Sequence, residues 1–148
     1  MSLRRIERSA LVPYSDEQMF DLVDDVAAYP EFLPWCVGAS VDQLEGDEMI
    51  ATLRIKRAGI RQQFTTRNLR RRPERIAMQL EAGPFSTLQG GWQFQALGEA
   101  ACKVNFELAF EFNAAVVAAL FAPVFEEITG SMVAAFVARA RTVYGVSA

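Results

Sequence analysis

The chain contains no histidine. That removes the commonest general base, the commonest metal ligand and every Ser–His or Cys–His nucleophile pair. Only two cysteines occur, Cys36 and Cys102, far apart and without ligand-like companions. Neither CxxC nor EF-hand-like spacing is present, so zinc and calcium sites have no motif to stand on. Reduced, buried thiols are expected in place of a disulfide. No apolar run approaches the roughly 20 residues of a membrane span. Two early arginines, Arg4 and Arg5, have no apolar stretch behind them, so Met1 to Arg8 reads as neither signal nor transit peptide. A cytoplasmic protein is the expectation. Internal repeats, linkers and low-complexity tracts are lacking too.

What is present is a chain of 148 residues, 51% hydrophobic, enough for one domain with a sizeable core. Arg4 to Val12 reads as a first strand ended by Pro13. Ser15-Asp16-Glu17-Gln18 forms a capping box, with Tyr14 and Met19 at the positions of a hydrophobic staple. The helix it starts turns Met19, Phe20, Leu22, Val23 and Val26 inward. Between Ala28 and Cys36 lie three aromatics and two prolines. Pro30 suits the first turn of a short helix and Pro34 would end it.

From Val37 onward the period is two. Val37, Ala39 and Val41 share a face of the second strand, and Met49, Ala51, Leu53 and Ile55 of the third. Ile60, Gln62, Phe64, Thr66 and Asn68 align in the fourth; Ile76, Met78 and Leu80 in the fifth. Gly83-Pro84-Phe85 breaks the pattern, and a sixth strand is placed around Gly91 to Leu97. The seventh alternates most clearly, with Cys102, Val104, Phe106, Leu108, Phe110 and Phe112 on one face. Short turns demand antiparallel neighbours.

The last stretch, Ala114 to Tyr144, carries an apolar stripe at helical spacing: Val117, Leu120 or Phe121, Val124, Ile128, Met132, Phe136, Ala140 and Val143. A helix of that span runs roughly 45 Å at about 1.5 Å per residue. Val116, Phe125, Val133 and Val137 widen the stripe. Pro123 predicts a kink or a fresh helix start, which would make Ala114 to Ala122 a lid-like segment. The expected fold is α+β: a curved antiparallel sheet of about seven strands wrapped around a long C-terminal helix, with two short helices between the first and second strands.

Three stretches carry a resemblance: Tyr29-Pro30-Glu31-Phe32-Leu33-Pro34-Trp35-Cys36; Gly83-Pro84-Phe85 with Leu88, Gly90, Trp92 and Phe94; and Met132, Phe136, Arg139, Ala140 and Tyr144. The chain resembles the polyketide cyclase/coenzyme Q-binding protein group of the START-like (SRPBCC, helix-grip) superfamily over almost its whole length. That group is represented by ubiquinone-binding proteins of the respiratory chain and by ribosome association toxins.

A sheet gripping a helix encloses a cavity wherever the facing side chains do not meet. Candidate wall residues are Phe64, Met78, Leu80, Phe85, Trp92, Phe94, Phe106, Phe110, Phe125, Met132 and Phe136. Periodicity does not separate a lined cavity from a filled core. The resemblance implies a cavity holding an isoprenoid quinone, ubiquinone above all, or a similar lipid, at the roughly 300–1,000 Å³ usual for such pockets. Gln62, Thr66 and Asn68 share the face of Phe64. They are either hydrogen-bond donors for quinone carbonyls or simply wet.

Charge is unevenly placed. The net is −3, yet nine basic residues lie between Arg54 and Arg75 against Glu74 alone, while Asp16 to Glu31 is acidic throughout. Arg54, Lys56, Arg61 and Arg67 are placed on the solvent face of the sheet. Such a face contacts phosphates of RNA or of an anionic membrane surface, or pairs with the acidic first helix of the same or another molecule. DNA is not an expected partner. With no histidine, and with carboxylates at turns, caps and outward positions, catalysis of the cyclase or aromatase kind is the lesser expectation and no catalytic residue or cofactor is assigned. The primary expectation is a quinone carrier or chaperone supporting respiration, cytoplasmic or peripheral at the inner membrane. The alternative that the resemblance implies is a toxin of a toxin–antitoxin pair that binds the large ribosomal subunit and blocks subunit association.

Overall fold

Short turns between alternating segments make sequence neighbours into spatial neighbours, and the computed structural model, which describes residues 3–145, obeys that rule throughout. Strands β1 (Arg4–Val12), β2 (Cys36–Glu45), β3 (Glu48–Arg57), β4 (Ile60–Arg71), β5 (Arg75–Ala82), β6 (Phe85–Ala96) and β7 (Cys102–Phe112) form one sheet in the order β1-β7-β6-β5-β4-β3-β2. Every neighbouring pair is antiparallel. Helix α1 (Asp16–Asp24) and a 3-10 helix, Val26–Glu31, link β1 to β2. Helices α2 (Ala115–Gly130) and α3 (Met132–Tyr144) close the chain.

The capping box at α1 is fully made. The Gln18 N–H donates to Ser15 Oγ at 3.1 Å, and the Ser15 N–H donates to Gln18 Oε1 at 2.9 Å. The staple residues Tyr14 and Met19 are both buried. The short helix, however, begins at Val26, so Pro30 sits near its end and not in its first turn.

The sixth strand starts at Phe85, six positions before Gly91. Gly90 and Gly91 disguised it. They interrupt the alternation, but they sit mid-strand at φ of 154° and 148°, where the sheet bends. A Cβ at Gly90 would fall 2.2 Å from the Glu107 carbonyl oxygen, and one at Gly91 would fall 2.1 Å from that of Ile76. Only glycine permits that approach, which lets the sheet curve around the helices.

The single long helix becomes two, bent by 41°. Pro123 does not cause the bend; α2 runs through it. The carbonyl deprived of a donor by Pro123 belongs to Ala119, on the exposed side of the helix, where its loss is tolerated. The break falls at Ser131. Its hydroxyl donates to the Ile128 carbonyl at 2.8 Å, and the Thr129 hydroxyl donates to that of Phe125 at 2.8 Å. Two side chains competing for helical carbonyls in succession bend the rod. The apolar stripe also starts later than its spacing suggested. Val116 and Leu120 are 66% and 61% exposed, and burial begins at Phe121. Val143, at the far end, is exposed as well.

Aromatic side chains fill the interior in two groups. Phe64, Phe85, Phe110, Phe112, Phe121 and Phe125 meet beneath α2, with Phe110 and Phe125 centroids 4.8 Å apart. Trp92, Phe94, Phe106, Phe136, Tyr29 and Phe32 meet beneath α3, with Trp92 and Phe106 centroids 4.5 Å apart. Most of these rings meet edge to face, the arrangement their quadrupoles favour.

Candidate functional site

Between the two aromatic groups lies a cavity of about 60 Å³. Of the expected wall residues, Phe64, Met78, Trp92, Phe106, Phe125, Met132, Thr66 and Asn68 border it. Leu80, Phe85, Phe94, Phe110, Phe136 and Gln62 do not. Phe85 and Phe110 are spent within the first aromatic group, and Phe94 and Phe136 within the second. The volume is also well below the expected range. It is room for a few waters, because the rings of each group close on one another.

The three hydroxyls on this wall are already engaged. The Thr66 hydroxyl donates to Asn68 Oδ1 at 2.8 Å, the Thr129 hydroxyl to its own helix, and the Tyr29 hydroxyl to the Val23 carbonyl. Burial, with Asp24 nearby, pushes the Tyr29 phenol far above its usual range. Thr129, which the sequence reading passed over, faces Thr66 and Asn68 from α2. Both cysteines are buried and unbridged. Burial raises the Cys36 thiol and pushes Cys102 up to about 11, so both stay protonated near neutrality and neither is an activated nucleophile.

The basic stretch divides on inspection. Arg70 donates two hydrogen bonds to Asp24, at 2.6 and 2.9 Å, and Arg72 donates two to Asp21, at 2.8 and 3.0 Å. The acidic helix α1 thus neutralises the end of β4 within one molecule. Arg57 pairs with Glu127 on α2. Arg67, expected on an open basic face, is instead flanked by Glu48 and Glu81. Among the described residues, Arg54, Lys56 and Arg61 make no ion pair and are exposed. Lys56 lies directly opposite Arg61 across β3 and β4, a like-charge juxtaposition that costs stability.

Beside that pair runs a groove of about 210 Å³, between the start of β4 and the first two turns of α2. Ile60, Gln62, Val117 and Phe121 form its depth, with Arg61, Val116 and Leu120 at its rim. The two-residue turn that opens it, Ala58-Gly59, takes φ of 52° and 78°. Gln62 therefore lies on this outer groove and not on the internal cavity. The sequence reading missed the groove because Val116 and Leu120 were counted as buried stripe.

The profile of the family described as polyketide cyclase/dehydrase and lipid transport matches residues 12–137. The chain belongs to this family. The Vibrio cholerae protein named ribosome association toxin RatA is 49% identical over 97% of this chain and 99% of its own. A Xenopus laevis protein named as a mitochondrial coenzyme Q-binding protein COQ10 homolog B is 27% identical over 96% of this chain and 61% of its own. The aromatase/cyclase ZhuI from Streptomyces sp. R1128 superposes with a TM-score of 0.82 at 18% identity, covering 99% of this chain and 100% of the other, and so shares the START-like helix-grip fold. No single described helix is long and apolar enough to cross a membrane; α2 and α3 reach that length only as a bent pair, and both pack on the sheet.

Proposed function

We propose that this protein binds the large ribosomal subunit and blocks association of the two subunits. The observation that carries this reading is near end-to-end similarity, at 49% identity, to a ribosome association toxin. Two features of the molecule support it. The interior, at about 60 Å³, is too small for a quinone ring and its tail. And Lys56 and Arg61, which have no ion-pair partner among the described residues, offer positive charge to ribosomal RNA phosphates. A cytoplasmic location follows from this partner. Catalysis has little to draw on, since the cavity wall carries no carboxylate, amine or guanidinium.

The test is cosedimentation with purified large subunits over a range of salt. Binding should weaken steeply as salt rises, and Lys56→Glu with Arg61→Glu should abolish it. Absence of cosedimentation even at low salt would sink the proposal. A second reading, a hydrophobic ligand of the quinone class, draws on the family description and the COQ10 similarity. It requires the two aromatic groups to part. Solvent extraction and mass spectrometry of the purified protein decide it: a stoichiometric quinone establishes the ligand, and none removes it.

A further inference from the structure

We propose that the groove between β4 and α2 holds one splayed-out base of single-stranded RNA, with the flanking phosphates on Lys56 and Arg61. The inference rests on the ribosomal reading for its choice of RNA as partner, and it names the site that would make the contact.

Four observations converge there. First, Lys56 and Arg61 face each other with no acid to separate them. A phosphate seated between them would remove a repulsion present in the free protein. Arg71 and Arg75 face each other in the same way across β4 and β5, but the hollow beside Arg75 is bordered by the acid Glu107, whereas the groove beside Arg61 is bordered by none. Second, α2 begins across the groove from Arg61, without a side-chain cap and without an acidic residue in its first turn. Its free N–H groups and positive dipole end are left unopposed, adding to the attraction for an anion. Third, Ile60, Val116, Val117 and Leu120 give the groove an aliphatic wall against which a base can pack once it leaves its stack. Fourth, Gln62 brings to the groove an amide that makes no hydrogen bond among the described residues, a donor and acceptor for the edge of a base. Apolar walls alone would suit many occupants. Their junction with uncompensated cations selects an anionic chain that carries flat rings. A second copy of this protein would bring its own Lys56 and Arg61 into repulsion.

The experiment measures fluorescence anisotropy of labelled decauridine and of the same strand with its central bases removed. Wild type should bind decauridine about tenfold more tightly than the abasic strand, the loss of about one stacked base. Val116→Ser with Leu120→Ser changes only exposed positions, so its melting temperature should stay near wild type. It should bind both strands as weakly as wild type binds the abasic one. Lys56→Gln with Arg61→Gln should flatten the slope of log affinity against log salt by about 1.4, two phosphates at about 0.7 each.

The proposal is overturned if the abasic strand binds wild type equally well, or if the serine variant binds decauridine undiminished. It is equally overturned if the serine variant loses only self-association, or only binding to phosphatidylglycerol vesicles. Cosedimentation on the same proteins keeps the two readings apart. Decauridine binding as expected without ribosomal binding refutes the ribosomal partner and leaves the groove standing. Ribosomal binding by the serine variant at full strength, with decauridine binding also unchanged, refutes the groove alone.

Discussion

Strand β4 has an arginine-rich end and a second basic end that it shares with β3, and the two are built in opposite ways. At its C-terminal end, Arg70 and Arg72 each meet an aspartate of α1 through two hydrogen bonds. At its N-terminal end, Arg61 meets Lys56. The same kind of charge fastens a helix at one end and stands uncompensated at the other. A count of cations along the chain therefore overstates the basic surface, and the pairing partners decide where positive charge remains. A net charge of −3 conceals a locally positive end.

The largest effect is expected where the clamp is least exposed. The Asp24 and Arg70 side chains are each about 20% accessible, so Asp24→Asn should cost about 1.5–3 kcal/mol, the worth of hydrogen bonds to a charged group. Urea unfolding measures it, and a loss below about 0.5 kcal/mol would mean that α1 is held by its apolar face alone. Removing Arg70 as well should cost less than the sum of the two single changes. A smaller effect is expected at Arg72, whose pair with Asp21 is half exposed. Arg72→Gln should lower stability only slightly at low salt, and not at all in high salt; a salt-independent loss would contradict that account. The smallest effect has the opposite sign. Lys56→Gln should raise stability by about 0.2–1 kcal/mol through relief of the facing charges, while weakening cosedimentation with large subunits. A destabilised Lys56→Gln variant would show that the pair is not repulsive and erase the contrast between the two ends.

Much of this frame was legible in the sequence, for reasons that are local. The Ser15–Gln18 capping box, the alternation of β7 and the two-residue hairpin turns each act over a few residues. The register placing Lys56 opposite Arg61 also follows from the turn at Ala58-Gly59, since turn length sets pairing. What escaped is non-local or collective. Asp24 and Arg70 are 46 positions apart, and nothing in either neighbourhood announces the other. Cavity volume depends on how the rings of the two aromatic groups interlock, which periodicity does not encode. The first half of β6, before Gly91, was hidden because a strand that bends by close backbone approach loses the alternation by which strands are recognised. Pro123 was read as a breaker, whereas Ser131 and Thr129 act through hydroxyls that compete for carbonyls, a weaker sequence signal.

The break at Ser131 has a consequence for how such a fold can change over time. Because α2 roofs one aromatic group and α3 the other, the interior is two rooms kept apart by the small cavity that Thr66, Asn68 and Thr129 help to wall. Residues well separated across that cavity contribute to stability almost independently. One room can therefore be enlarged, emptied or refitted by substitutions under α2 alone, while α3 and its contacts with α1 keep the building upright.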